Sequence, residues 1–536
     1  MATGVPDTSI VATVGTMISE DSRQSATAGS ARSISIGQSI GFGIGDFYGG
    51  GQLTLTATYL SLFWTRFCGL DIQAAQGIIG GCTALGAFFA LFFGALSDNL
   101  YRFAIGRRFG RRRLLLLIMS PSLLVGVLLW IPGIPTALYC AAYMVWIMAF
   151  QIFMTAYNAL PGEMTTDFRG RTRLSATRLY ISNAAGTIVP LTGSAVLAIF
   201  GENAASSYQL FTMTFTVMFA IAMFVCWRTT WEMTPEEAGF GAFVHGARTP
   251  LHVGFAVWAH RVGTLAREYA STLRIRAFRQ HLAIYLMLMC AMDVFGQTFA
   301  YFVIFDWGQS AAFASLLLTF TVLALPLMPA CNWLLLRFGP RTVYAAGFVG
   351  MGAGAIMMLA AWLLHASGLL SGAAWTAFAV VSTVVFFAFR TSAGFTPWQV
   401  FPLIADVDRI VTERSRSATF AGVQAFFRQL CSGIVAVSVG GVLAWTGFDP
   451  SLDAQPFSAQ IALACSTVGI YLLAVAAAWT VARRMTLNRR TDMELLGEID
   501  RLESGGAKRD VDPHVRRTVE ELTGVDYRDV WPDAKV

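Results

Sequence analysis

The chain has 536 residues, of which 55% are apolar, 41 are Phe and only 13% are charged, about half the charged share of an ordinary soluble protein. That composition excludes a soluble globular domain of the usual kind. The formal charge of +6 does not point to nucleic acid, because the arginines sit in short loops between apolar runs, where membrane topology accounts for them.

Residues 1–35 are rich in Ser, Thr and Ala and lack the charged-then-apolar pattern of a signal peptide. They read as a disordered cytoplasmic N-terminal tail. Six apolar stretches follow, at 37–64, 72–97, 114–132, 136–160, 175–200 and 208–230. Each is about long enough to cross a bilayer, which takes about 20 residues in a helix because no water is there to satisfy the backbone. They form an N-terminal bundle over 36–230. Residues 231–281 are polar, with Trp258, Arg261, Arg267, Arg274 and Arg276 interleaved among apolar positions. This pattern predicts a cytoplasmic amphipathic linker at the membrane surface.

Six more stretches, at 282–305, 310–337, 342–365, 374–404, 418–446 and 458–482, make a C-terminal bundle over 282–482. Residues 483–536 are a mixed-charge cytoplasmic tail in which 511–530 has the composition of a helix. The expected fold class is an all-α membrane protein, with twelve transmembrane helices in two pseudo-symmetric six-helix bundles. One set of loops carries Arg102, Arg107, Arg108, Arg111 to Arg113, Arg169, Arg171, Arg173, Arg337, Arg341, Arg409, Arg414 and Arg416, whereas the opposite set has almost none, Arg66 being the exception. The positive-inside rule puts the basic loops and both termini in the cytoplasm, and the expected location is the cytoplasmic (inner) membrane.

The halves repeat weakly. Asp46-Phe47-Tyr48-Gly49 answers Asp293-Val294-Phe295-Gly296, and Arg108-Phe109-Gly110-Arg111 answers Arg337-Phe338-Gly339-Pro340-Arg341. Parallel repeats of this sort place a substrate site at their interface near the midplane.

Charged side chains inside hydrocarbon cost several kcal/mol on some scales and mark cavities and partners. Asp46, Asp293 and Arg428 fall about 14 to 17 Å along their spans at about 1.5 Å per residue, near the midplane. Arg178 and Arg390 lie nearer the cytoplasm. Five charges on five spans lining one cavity would bind a polar ligand strongly, and Tyr48, Tyr157 and Trp398 are candidate stacking faces for a sugar ring. The cysteines stand singly as small apolar fillers, with no metal-ligand spacing. No nucleophile with a base and no phosphate loop is present, so neither an enzyme nor a cofactor is expected.

The segment Gly94-Ala-Leu-Ser-Asp98, followed by Gly106-Arg-Arg-Phe-Gly110-Arg111-Arg112-Arg113, resembles the signature loop of the major facilitator superfamily. The resemblance implies a latch between Asp98 and the arginines that holds the cytoplasmic side closed. The run Pro161-Gly-Glu-Met-Thr-Thr-Asp-Phe-Arg169-Gly-Arg171-Thr-Arg173-Leu-Ser-Ala-Thr-Arg178 is more specific. With Gly45-Asp46-Phe47, Thr396-Pro397-Trp398, Asp406-Val-Asp408 and Gln424 to Arg428, it resembles the glycoside-pentoside-hexuronide:cation symporters, the melibiose permease family, over about residues 36–482.

By that resemblance Asp46, Tyr157 and Arg178 are sugar-binding residues, Arg428 (or Gln429) is the basic residue of helix 11, and Arg173 and Asp406 join the gate. The family's cation site uses two aspartates on helix 2, and those places hold Gly86 and Ala90, while its helix 4 aspartate falls near Phe153. A sodium site of that kind is therefore not expected. Coupling is to protons, with Asp46 or Asp293 as carrier since burial raises a carboxylate's pKa, or it is missing altogether. Two acids and three arginines leave one positive charge, which favours a sugar or glycoside of acidic character such as a uronide. The alternatives are a lysophospholipid or other anionic amphiphile, or a non-transporting assembly factor for membrane complexes. A monomer in the lipid bilayer is expected.

Overall fold

A computed structural model describes residues 34–531, apart from 101–103, 166–167, 233–262, 265–266, 414–415, 451 and 453. The expected N-terminal tail and most of the central linker lie outside the described residues. Among those described, the only regular structure is helical. Ten stretches are long and apolar enough to cross a membrane. One of them, 311–366, breaks at Gly339 and is two helices. Residues 36–67 form a further helical run, which brings the spans to twelve.

In chain order the spans are α1 (36–67), α2 (Ile72–Asn99), α3 (Arg111–Trp130), α4 (Thr136–Met164), α5 (Phe168–Phe200) and α6 (Ala205–Thr229). The second set is α7 (Arg276–Asp306), α8 (311–338), α9 (340–366), α10 (Gly372–Thr412), α11 (Ser417–Trp445) and α12 (Phe457–Ala482). The expected spans recur within a few residues, with three differences. Helix α5 begins at Phe168 rather than 175, α7 at Arg276 rather than 282, and α10 runs to Thr412 rather than 404. In each case the helix continues through polar sequence, because its backbone hydrogen bonds form within the helix and do not need hydrocarbon around them.

The internal repeat is written in the backbone. Gly110 (φ 86°, ψ 153°) and Gly339 (φ 77°, ψ 166°) take the same left-handed turn after the two Arg-Phe-Gly runs. That region favours glycine because a Cβ would clash there. Widened π-helical turns at Thr56–Leu60 of α1 and Phe302–Asp306 of α7 follow Asp46 and Asp293 at distances that differ by one residue.

The halves meet through α2 against α11 and α5 against α8, which are equivalent pairs under the repeat. The first contact is glycine-mediated, since a Cβ on Gly80 would stand 2.4 Å from the carbonyl oxygen of Gly433, and one on Gly433 would stand 2.6 Å from that of Gly80. Small residues at such a seam let backbones touch where lipid offers no hydrophobic drive. At the arginine-poor end, hydrogen bonds tie the halves together. Tyr59 donates to Ser315 at 2.9 Å, the Ser61 and Tyr301 hydroxyls lie 2.9 Å apart, and Ser194 donates to the Ala312 carbonyl at 2.8 Å. At the basic end, ion pairs run within a half, as in Arg111–Glu163 and Arg416–Asp408.

The C-terminal tail folds into α13 (Arg489–Glu503) and α14 (Pro513–Thr523), against the expected single helix over 511–530. Asn488 and Asp512 cap their first turns. Leu495, Ile499, Leu502, Val519 and Leu522 are buried at their interface with α7 and α10. Arg409 of α10 pairs with Glu503, and the Trp531 N–H donates to the Ile410 carbonyl at 3.0 Å.

Candidate functional site

Asp46 sits early in α1, on a face where glycines admit neighbouring helices. The residue is 3% exposed, and its carboxylate accepts from Arg178 Nε of α5 at 2.6 Å. The same guanidinium donates through Nη1 to Asn158 Oδ1 of α4 at 2.8 Å and lies over the Tyr157 ring, 4.7 Å from its centroid. A Cβ on Gly49 would stand 2.2 Å from Asp46 Oδ1, so glycine one turn on leaves the carboxylate its place.

In the second half, Arg428 of α11 donates from Nη1 and Nη2 to the two oxygens of Asp293 of α7, each at 2.6 Å. Around this pair lie Tyr285, which stands edge-on to Trp398 at 5.8 Å, and Gln424, whose amide oxygen is 2.9 Å from His281 Nε2. Bidentate arginine–carboxylate contacts are the strong, directional kind. Both pairs keep partly open arginines, with side-chain exposures of 20% for Arg178 and 25% for Arg428.

The five charges expected to line one cavity are thus brought together as two pairs, each inside its own half. Arg390 of α10 lies over Phe387 at 5.3 Å; among the described residues it is the charged member of the set without a carboxylate partner in contact. Tyr48 departs from the expected stacking role. It is fully buried among Trp146, Phe150, Phe153 and Phe219 in the core of the first half. Tyr157 is also fully buried, stacked on Phe42 and Phe153 and donating to the Phe42 carbonyl at 2.9 Å. Its ring supports Arg178 and offers no free face to a sugar. Trp398 is 57% exposed.

The arginines expected to latch with Asp98 have several partners among the described residues. Arg111 Nη2 and Arg112 Nε point to Glu163 Oε1 at 2.8 and 3.5 Å, and the Arg112 backbone N–H donates to Glu232 at 2.8 Å. Arg113 donates to the Trp227 carbonyl at 3.2 Å and Arg173 to that of Ile34 at 2.8 Å. Asp98 ends α2, with its side chain outside the described residues. Asp406 is half-buried on α10, while its neighbour Asp408, fully buried, takes both Nε (2.8 Å) and Nη2 of Arg416. Asn158, Glu163, Asp408 and Arg416 were not singled out as site residues. Glu163 and Asp408 stand inside the two loop motifs, and that was the available signal.

Twelve helices in two repeated halves, with charged pairs held inside the membrane region, define a multi-pass transporter fold, and solved structures agree. A bacterial homologue of the human lysosomal transporter Spinster, in an inward-facing and occupied conformation, aligns with TM-score 0.56 at 14% identity, covering 84% of this chain and 96% of that one. A D-xylose–proton symporter aligns with TM-score 0.53 at 15% identity, covering 82% and 96%.

Residues 41–488 match the family model described as MFS/sugar transport protein, and the chain belongs to that family, within the major facilitator superfamily and its glycoside-pentoside-hexuronide symporter branch. Membership of that family supports a role in secondary transport. The chain is 28% identical over 211 residues to YjmB of Bacillus subtilis (strain 168), described as an uncharacterized symporter; the match spans 37% of this chain and 44% of that relative.

Proposed function

We propose that the chain carries a sugar or glycoside, with preference for an acidic one such as a uronide, across the cytoplasmic (inner) membrane by alternating access. The observation that supports it most is the duplicated Asp–Arg pair, Asp46–Arg178 between α1 and α5 and Asp293–Arg428 between α7 and α11. Each pair offers hydroxyl-binding groups of both signs while remaining neutral within its own half. Rocking of the halves about the α2–α11 and α5–α8 seams presents both pairs to one ligand and then to the other side of the membrane. Arg390 leaves one positive charge over, which suits a carboxylate on the sugar. Trp398 is the stacking face. The basic loops and both termini face the cytoplasm, and the protein acts as a monomer.

Coupling is to protons, or transport is uncoupled. The helix 2 position that would carry a cation-binding carboxylate is Gly86, whose Cβ would stand 2.5 Å from Ile147 Cγ2, and carboxylate oxygens are what a sodium ion needs. Asp46 and Asp293 are the candidate proton carriers.

The deciding experiment is uptake into vesicles containing the purified protein, with glucuronides and the matching neutral glucosides. Uptake of the glucuronide that responds to a pH gradient or to none, and ignores sodium, supports the reading. Strict sodium dependence, or equal affinity for neutral and acidic versions, refutes the corresponding part. Displacement of sugar by lysophospholipid would move the cargo to an amphiphile.

A further inference from the structure

Between the first turns of α7 and the last turn of α12 lies a cavity of about 320 Å³, lined by Arg276, Arg279, Gln280, Thr480, Val481 and Arg484. The lining comes from two helix faces. Arg276, Arg279 and Gln280 are spaced i, i+3, i+4 along α7, and Thr480 and Arg484 are one turn apart at the end of α12, so each set shares a face. The three arginines are exposed, and among the described residues none makes an ion pair with a carboxylate. Arg279 is held in place by donating Nη1 to the carbonyls of Leu273 and Arg274 at 2.9 and 2.8 Å, and Gln280 ties α7 to α12 through the Arg484 carbonyl at 3.2 Å. Topology alone asks for basic residues at this end, but it does not ask for three of them around one concavity between two helices.

An exposed apolar stripe continues from the pocket along α12. On α12, Leu473 and Ala476 precede Thr480 at helical spacing on the same exposed stripe, and Leu473 is 72% exposed. A basic mouth at the hydrocarbon boundary continued by an apolar stripe matches a molecule with an anionic head and an acyl tail. Basic pockets between spans at the cytoplasmic leaflet suit anionic head groups in this way. We propose that this cleft is a binding site for an anionic phospholipid, the phosphate held by Arg276, Arg279 and Arg484 and one acyl chain lying along Leu473. The site is separate from the Asp–Arg pairs and does not depend on what the protein transports. Because Arg276 also lies against Gly524 at the end of α14, a lipid here would touch the helix that anchors the folded tail.

The test measures lipid binding to the full chain in neutral detergent by native mass spectrometry, comparing phosphatidylglycerol with phosphatidylcholine. Phosphatidylglycerol should bind at least tenfold more tightly. Each arginine near an anionic surface contributes about a fivefold effect, so Arg276→Gln with Arg484→Gln should weaken phosphatidylglycerol about 25-fold and leave phosphatidylcholine unchanged. Arg489→Gln with Arg490→Gln removes the same charge outside the pocket and should change nothing; an equal loss there would reduce the effect to net charge and overturn the site. Water-soluble glycerol phosphate should bind far more weakly, and a match to the lipid would assign the pocket to a free anion instead. If the double variant fails to fold, Thr480→Glu places a carboxylate in the cleft and should weaken phosphatidylglycerol alone; unaltered binding would overturn the proposal.

Discussion

Arg428 closes both of its terminal nitrogens on Asp293, Nη1 to Oδ2 and Nη2 to Oδ1 at 2.6 Å each, joining α11 to α7. The repeat makes the same connection from α5 to α1 through Arg178 and Asp46. Removing one member of a buried pair strands the other charge, a loss of about 3 to 5 kcal/mol when fully buried. Partial exposure of both side chains brings the expectation to about 2 kcal/mol. Asp293→Asn should therefore lower the unfolding midpoint in detergent and abolish uptake. Asp293→Asn with Arg428→Gln should regain most of the stability and none of the transport. Recovery of both would reduce the pair to a structural clamp.

The Gly49 contact gives a gentler probe of the first pair. Gly49→Ala places a Cβ 2.2 Å from Asp46 Oδ1, so the carboxylate must turn from Arg178. Uptake should fall at least tenfold. Gly81→Ala, at a site with no atom within 4 Å of the new methyl, should leave it unchanged. Equal behaviour of the two variants would detach Asp46 from transport.

Restoring the family's carboxylate should not create a sodium site. Gly86→Asp introduces a side chain whose Cβ lies 2.5 Å from Ile147 Cγ2 and 3.5 Å from the Gln151 amide nitrogen. Overpacking of this kind costs about 1 to 3 kcal/mol. A lower unfolding midpoint without sodium-stimulated uptake is expected, and sodium stimulation would contradict the close-packed reading of α2 against α4.

Tyr157 and Trp398 should separate support from contact. Tyr157→Phe removes one buried hydrogen bond to Phe42, worth about 1 kcal/mol, while keeping the ring beneath Arg178. Its main effect should be on stability. Trp398→Ala on the exposed side of α10 should shift stability by no more than about 0.5 kcal/mol while raising the KM for sugar. Paired measurements of unfolding midpoint and uptake check the contrast.

The tail should respond to pH. Burial pushes the Asp492 carboxyl up to about 6, with the nearby charge of Asp406 adding to it, from an ordinary 3.8. A carboxyl with a raised folded-state pKa binds more protons folded than unfolded, so stability falls as pH rises between about 4 and 6 and then levels off. Docking of α13 and α14 should be tighter at pH 4.5 than at pH 7. Protease cleavage within 483–531 should report this, and Asp492→Asn should keep the tail protected at both values. Unchanged cleavage across that range would exclude Asp492 as the titrating group.

Much of this protein was legible in its sequence, for a physical reason. Hydrocarbon forces each span to be a helix of about 20 apolar residues, so Ile72–Asn99 or Ala205–Thr229 announces itself by composition alone. The repeat was also legible, because a left-handed turn needs glycine at both Gly110 and Gly339. Charges in hydrocarbon are rare enough that Asp46, Arg178, Asp293 and Arg428 could be picked without coordinates.

Pairing was decided by tertiary structure alone. Sequence order says nothing about which carboxylate an arginine 132 or 135 residues away will face. The helix packing joins Arg178 to Asp46, Arg428 to Asp293 and Arg111 to Glu163, and so resolves the five charges expected around one cavity into two neutral pairs and Arg390. The same holds for aromatic residues, since apolar periodicity cannot distinguish a ring facing a cavity from one facing a neighbouring helix. Tyr48 and Tyr157 went to the core and Trp398 to the surface. Composition fixes what must leave water, but which side chains meet once they have left depends on how the helices pack.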